Sequence, residues 1–382
     1  MIDRFPGAHD GWARFDGPGG TLMVDTAVEA MRLHLTLGEA ANVGGAFDAS
    51  LRTDALVTKA RASVGALLGA PADGIVFGAN MTTLTFAFSR AVGRTLGPGE
   101  EIVCTQLDHD ANVTPWVLVA EERGARVVFA EIDPSTGALP VESVVGALSD
   151  RTRWVALPGA SNLLGTIPDL SPMIEAVHAA GARVYVDAVH LVPHRPVDVH
   201  ELGCDALVTS PYKWYGPHAG VLVLTPEVIE TIEPFRVRPA PNRGPARFET
   251  GTKSFESLAA IEAAAVYLRS SQDAGLIDAE ARVFTPLLEG IASMPHARLI
   301  GSRTVEGRTP TLLFTVDGKH PHEVVTALAR ERIAAWSGDN YALETARALG
   351  IDRAGVGVRL GVVRYTTPDD VQRVLRAVDG LR

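Results

Sequence analysis

Residues 183–217 read RVYVDAVHLVPHRPVDVHELGCDALVTSPYKWYGP, and two stretches within them decide the fold. Arg183–Asp187 and Ala206–Thr209 are short, mostly apolar runs that end in polar or turn residues. Runs of this length fit strands buried on both faces. Working outward, the same kind of run recurs at 75–77, 102–105, Arg126–Ala130, 154–157 and 221–224. Helix-like segments fall between them at 82–95, 112–123, 141–148 and 170–180. Strand–helix alternation at this spacing predicts an α/β fold around a mostly parallel sheet of these seven strands.

The pattern breaks near 235–245, where Arg238-Pro239-Ala240-Pro241-Asn242-Arg243-Gly244-Pro245 fits neither helix nor central strand. Two helices are expected next, at 255–274 and 277–294. Beyond Pro295 the order is strand (Thr311–Val316), helix (Pro321–Arg330), strand (333–337), strand (357–362) and helix (368–378). The expected division is an N-terminal arm over 1–20, a large domain over 21–255, linking helices over 256–294 and a small α+β domain over 295–382. The first seventy residues are expected to complete the arm and pack back onto the sheet.

Composition narrows the class. The 382 residues are 46% hydrophobic and 21% charged, which suits a soluble chain large enough for more than one domain. A net charge of -10 without long runs of one sign argues against nucleic acid or an acidic membrane surface as partner. Cys104 and Cys204 both lie in apolar stretches and read as buried thiols of a reducing compartment. No signal-like start and no membrane-length apolar run is present, so a cytoplasmic location is expected.

Chemistry concentrates where strands end. Lys213 follows the strand Ala206–Thr209 and sits among Tyr212, Trp214, Tyr215 and Gly216-Pro217. Desolvation there lowers the amine's pKa and frees a neutral nucleophile for an aldehyde; alone, the motif fits a surface lysine equally well. Asp187 ends the preceding strand, and a carboxylate buried there is costly without a cation. A protonated pyridine nitrogen is such a cation, and an acid that keeps it protonated makes the ring an electron sink. Without Lys213, Asp187 would read as a helix cap or loop salt bridge. A third element, Gly78-Ala79-Asn80-Met81-Thr82-Thr83, opens a helix after a strand. It offers free N–H groups and a favourable dipole to a phosphate, although Asn80 or Thr82 would also serve as a plain N-cap.

In this order the three elements resemble the class V aminotransferase group of fold-type I pyridoxal-phosphate enzymes, in particular the cysteine desulfurase-like proteins. The resemblance extends over nearly the whole chain. It implies that Lys213 holds the cofactor as a Schiff base and that Asp187 pairs with its ring nitrogen. Asp108-His109-Asp110-Ala111-Asn112-Val113-Thr114-Pro115-Trp116 resembles the segment whose histidine stacks on the cofactor ring, so His109 takes that role and a possible proton shuttle. Asn162, in Ser161-Asn162-Leu163-Leu164-Gly165-Thr166, falls where an asparagine reaches the cofactor hydroxyl and the substrate. His190 matches a position near the same hydroxyl. Ser210 and Tyr212 match phosphate contacts, joined by Asn80, Met81 and Thr82. Arg247-Phe248-Glu249-Thr250-Gly251-Thr252 is similar to a motif whose last threonine caps the phosphate of the other subunit. Carried onto Thr252, it implies a homodimer with shared sites. Arg359 falls where an arginine clamps the substrate α-carboxylate, a task suited to a guanidinium that donates two parallel hydrogen bonds.

The chain also departs from that family. Desulfurases carry a persulfide-forming cysteine after a strand of the small domain; the matching stretch here, Trp336-Ser337-Gly338-Asp339-Asn340-Tyr341-Ala342, has none. Tyr341 falls near that place. Ala41-Asn42-Val43-Gly44-Gly45-Ala46-Phe47 replaces a segment that carries histidine and arginine in sulfur-mobilising relatives; it and Gly17-Pro18-Gly19-Gly20 read either as an opened, less charged substrate pocket or as plain turns. His190, His194 and His200 do not form a metal set, because Pro193 and Pro196 interrupt them. The expectation is a C–S lyase acting by β-elimination on cysteine or an S-conjugate, with Arg359, Asn162 and Tyr341 at the substrate. Transamination, epimerisation or decarboxylating oxidative deamination are alternatives, and a non-catalytic binding protein is a distant one.

Overall fold

The computed structural model describes residues 2–37, 41–352 and 355–381. From edge to edge its main sheet runs Ile75–Gly78, Gly220–Leu224, Ala206–Thr209, Arg183–Asp187, Thr152–Pro158, Glu101–Thr105, Arg126–Ala130. Gly220–Leu224 is antiparallel to both neighbours and the remaining pairings are parallel. All seven expected strands are present, with ends shifted by at most two residues.

Successive strand residues feed two opposite cores, as a period of two requires. Ile102 and Cys104 face a cluster with Phe88 and Trp116, whereas Val103 faces one with Met173 and Ile261. The helices Met81–Val92 and Thr114–Arg123 therefore cover one face of the sheet, and Leu170–Ala179 and Phe255–Asp273 the other. Burial on both faces explains why these strands read as unbroken apolar runs.

The N-terminal region differs from the expectation of an arm lying back on the sheet. It contains two helices, Asp25–Thr36 and Asp48–Leu68, which pack mainly against the helix Phe255–Asp273. The stretch 41–47 is a turn pinned to the second helix: Ser50 donates to the Asn42 carbonyl at 2.6 Å and Thr53 to that of Ala41 at 2.9 Å.

A second, antiparallel sheet has the order Trp336–Ser337, Val358–Gly361, Thr311–Val316, Ala297–Ile300. The single strand expected over 333–337 is two. Ile333–Ala334 pairs in parallel with Ala13–Arg14, and only Trp336–Ser337 joins the four-stranded sheet. Two pairing partners lying on different sides break the run at Ala335. The long helix Leu276–Ser293 leads from the first sheet to the second.

Parallel strands end together, so the loops after Glu101–Thr105, Thr152–Pro158, Arg183–Asp187 and Ala206–Thr209 converge at one edge. That crevice, outside the carboxyl ends of the strands, is where open α/β sheets bind ligands. The second sheet closes it from above: Arg359 on Val358–Gly361 donates to the Asn162 carbonyl at 2.9 Å.

Candidate active site

Asp187 is the last residue of its strand, and Lys213 closes the single 3-10 turn Pro211–Lys213. Together with Met81, Thr82, His109, Asn162, His190 and Tyr212 they line one pocket. Most residues expected at the site thus converge, from five separate loops.

Burial sets the electrostatics. It pushes the Lys213 amine from 10.5 down to about 7, helped by the Arg359 charge and opposed by Asp187. Asp187 is pushed up to about 6 by burial, partly offset by the Val189 N–H that it accepts at 2.9 Å and by Lys213. His109 falls to about 4, through burial and then the nearby Lys213 and Arg359, so its ring is neutral. Its Nδ1 accepts the Ala111 N–H at 3.0 Å, which leaves the proton on Nε2. Burial lowers Arg359 to about 9, still charged at neutral pH. The Lys213 amine donates to the Pro18 carbonyl, so the Gly17-Pro18-Gly19-Gly20 stretch belongs to the site wall.

At the opening of Met81–Val92, the Asn80 side chain accepts the Thr83 N–H at 2.8 Å and is a true N-cap. Ser210 accepts the Met81 N–H at 3.2 Å, binding the helix start to the lysine turn. Gly220 makes this closeness possible: a Cβ there would lie 2.5 Å from the Asn80 carbonyl carbon. Tyr212 stacks on His218, ring centroids 5.1 Å apart and planes 14° from parallel.

The loop after Trp336–Ser337 reaches the pocket from the second sheet. Asn162 donates to the Asn340 carbonyl at 2.8 Å, and the Asp110 N–H to that of Tyr341 at 2.7 Å. The Tyr341 ring stacks on His109 at 5.5 Å. Thr252 stands apart in its own chain, beside a different pocket lined by Gly78, Ala79 and His218. Its loop is anchored by buried Glu249, which pairs with Arg61 at 2.7 Å and Lys253 at 2.8 Å and accepts the Phe77 N–H at 3.0 Å.

Several contacts of the site escaped sequence reading. Buried Asp108 accepts from Thr105 at 2.5 Å and from Asn112 at 2.7 Å, and burial holds its carboxyl well above the usual range. His190 shares a hydrogen bond with Thr311 of the second sheet at 3.0 Å. His194 bonds both carboxylate oxygens of Glu280, at 3.0 and 3.1 Å. Thr311 and Glu280 lie about 120 and 90 residues from the histidines they bond, so no local signal announces them, whereas Asp108 is held within its own loop.

Residues 14–374 match the family model described as aminotransferase class-V. The chain is 32% identical to the uncharacterized protein MT3887 of Mycobacterium tuberculosis, over 98% of this chain and 97% of that one. It is 31% identical to a probable cysteine desulfurase of Mycolicibacterium paratuberculosis, over 95% of this chain but only 54% of that protein. The fold is similar to the apo structure of a cysteine desulfurase from Thermococcus onnurineus, with a TM-score of 0.93, 25% identity and coverage of 99% and 96%.

Proposed function

The chain belongs to the class-V aminotransferase family and is a pyridoxal-phosphate-dependent enzyme of cysteine desulfurase-like type, and from that premise we propose that it is a C–S lyase cleaving cysteine or a cysteine S-conjugate. The pocket fits the cofactor. Asp187 supplies a buried acid for a protonated ring nitrogen, Lys213 an amine that is half neutral near pH 7, and Met81–Val92 a helix start for the phosphate. Asn162 Oδ1 and Arg359 Nε are buried there without hydrogen-bond partners, consistent with a site built for a polar guest.

Pyridoxal phosphate supplies an aldehyde that condenses with amines and a ring that takes up electron density from an amino acid's α-carbon. Arg359 holds the substrate carboxylate and so orients the α-carbon. Lys213 Nζ removes the α-proton. Asp187 keeps the ring-nitrogen proton in place, and neutral His109 presents a flat face to the ring. The C–S bond then breaks with both electrons going to sulfur, and the Tyr212 or Tyr341 hydroxyl delivers a proton to the thiolate. Water completes the reaction, giving a thiol, pyruvate and ammonia. Thr252 is proposed to cap the phosphate of a second subunit in a homodimer, which accords with its distance from the Lys213 pocket of its own chain.

One observation carries the choice of reaction: the loop that reaches His109 and Asn162 bears Tyr341 and no cysteine. Both cysteines of the chain are buried, and burial raises both thiols, Cys204 to about 12. Neither is placed to accept sulfur. The test is product analysis on L-cysteine, S-alkyl-cysteines and alanine, with Lys213→Ala as control. Thiol and pyruvate in equal amounts support the lyase. Amino transfer to an added keto acid without thiol release would make it an aminotransferase and overturn the proposal.

A further inference from the structure

Two large side chains stand exposed at the rim of this site, and the backbone of one is strained. Trp336 lies directly opposite Arg359 in the antiparallel ladder. Opposed residues project from the same face of a sheet with Cβ atoms about 5 Å apart, so the indole stands beside the guanidinium. It also leans on the arm: its Nε1 donates to the Asp16 carbonyl at 3.3 Å, and a Cβ on Gly19 would lie 2.4 Å from that nitrogen. The neighbouring Pro18 carbonyl receives the Lys213 amine. Trp336 therefore stands opposite Arg359, the group that would fix an amino acid's carboxylate, and rests on the arm that also receives Lys213. Even so, 48% of its surface is exposed.

Tyr341 reaches the site at His109. Asn340 and Tyr341 both adopt left-handed backbone, with φ of 49° and 62°, a conformation costly for a residue as bulky as tyrosine. The hydrogen bonds from Asn162 and Asp110 hold this strain in place, and the ring stacks on His109 at 28° between planes while 69% exposed. One exposed aromatic is unremarkable on a protein surface. An exposed ring held by strained backbone against His109, with a second exposed aromatic opposite Arg359, is arranged for contact rather than for core packing.

We propose that the substrate is an amino acid with a large, planar, apolar side chain, held against Trp336 and Tyr341. This rests on reading Arg359 and Lys213 as the amino-acid site and narrows the substrate to aryl-type conjugates. Against these rings the side chain leaves water, and the aromatic contacts add to the area buried.

The test is a titration of the holoenzyme with L-alanine, S-methyl-L-cysteine, L-phenylalanine and S-benzyl-L-cysteine, followed by the cofactor's visible absorbance. The two aryl ligands should bind at least about tenfold more tightly than alanine. That ratio should fall towards one in Trp336→Ala and Tyr341→Ala and persist in Tyr341→Phe. If Trp336→Ala loosens the arm and fails to load cofactor, Trp336→Leu keeps bulk without the planar ring and should lower the ratio likewise. A ratio near one in the parent enzyme, or one unchanged in the alanine variants, overturns the proposal. Phenylalanine has no leaving group, so its binding reports on this seat whether or not thiol release is observed.

Discussion

Lys213 in the cofactor-free protein offers the most direct check on the electrostatics of the site. Its amine is brought from 10.5 to about 7, chiefly by burial, then by the Arg359 charge, with Asp187 acting against both. At pH 7 about half of the amine is then neutral, against roughly 1 in 2,500 for a lysine with an unperturbed pKa of about 10.4. Brief acetylation of the apoprotein at stepped pH, read by peptide mass spectrometry, yields a midpoint for each lysine. Nα-acetyl-lysine added to the same reaction serves as the reference, with the ordinary lysine pKa of about 10.4. Lys213 should reach its plateau by about pH 8.5, while the free amine still rises tenfold per unit. The variants fix the sign. Arg359→Gln removes a charge that disfavours the ammonium and should move the midpoint above 7. Asp187→Asn removes one that favours it and should move the midpoint below 7. If Lys213 and the free amine titrate together, or the two variants shift the same way, the electrostatic account is wrong.

Asp187→Ala should weaken cofactor binding by roughly 10- to 100-fold through loss of a charge-assisted hydrogen bond; an unchanged dissociation constant in equilibrium dialysis would count against its pairing with the ring. Gly220→Ala places a methyl 2.5 Å from the Asn80 carbonyl carbon, backbone that cannot swing aside, so the variant should lose about 1 to 3 kcal/mol in denaturant melts and release cofactor faster than the parent. Glu101 is held at about 2 by the Ser149 hydroxyl together with Arg126 and Arg151, below its ordinary 4.5. Its folded pKa lies under the unfolded one, so its stabilisation is complete above about pH 4.5 and declines as pH falls towards 2. The stability gap between parent and Glu101→Gln should accordingly shrink between pH 6 and 3.5, and a constant gap would refute this.

Legibility in the sequence followed burial. The strands Arg183–Asp187 and Ala206–Thr209 were readable to the residue because neighbours cover both their faces, which enforces an apolar run. Asp187 and Lys213 were readable because polar residues at the ends of such runs have few other uses. The helix Asp25–Thr36 was not: only Ala27 and His34 on it are buried, too few to leave a periodic stripe. The break at Ala335 was invisible because it depends on Ala13–Arg14, far away in the chain. The same holds for the left-handed Asn340 and Tyr341, since no local signal announces the carbonyl contacts from Asn162 and Asp110. Sequence placed Tyr341 near the site, but its stacking on His109 follows from tertiary structure alone.

The pairing of Ala13 with Ile333 also bears on how the protein is made. The arm leaves the ribosome ahead of its partner, which is synthesised 320 residues later, roughly 16 to 64 s at usual translation rates of 5 to 20 residues per second. Over that interval the sheet edge bearing Asp187 and Lys213 can form while Ala13–Arg14 has no strand to join. Arg359 emerges later still. The cofactor pocket of the nascent chain is therefore a half-built cup, open on the side that the arm and the second sheet later close, and its completion belongs to the last steps of folding.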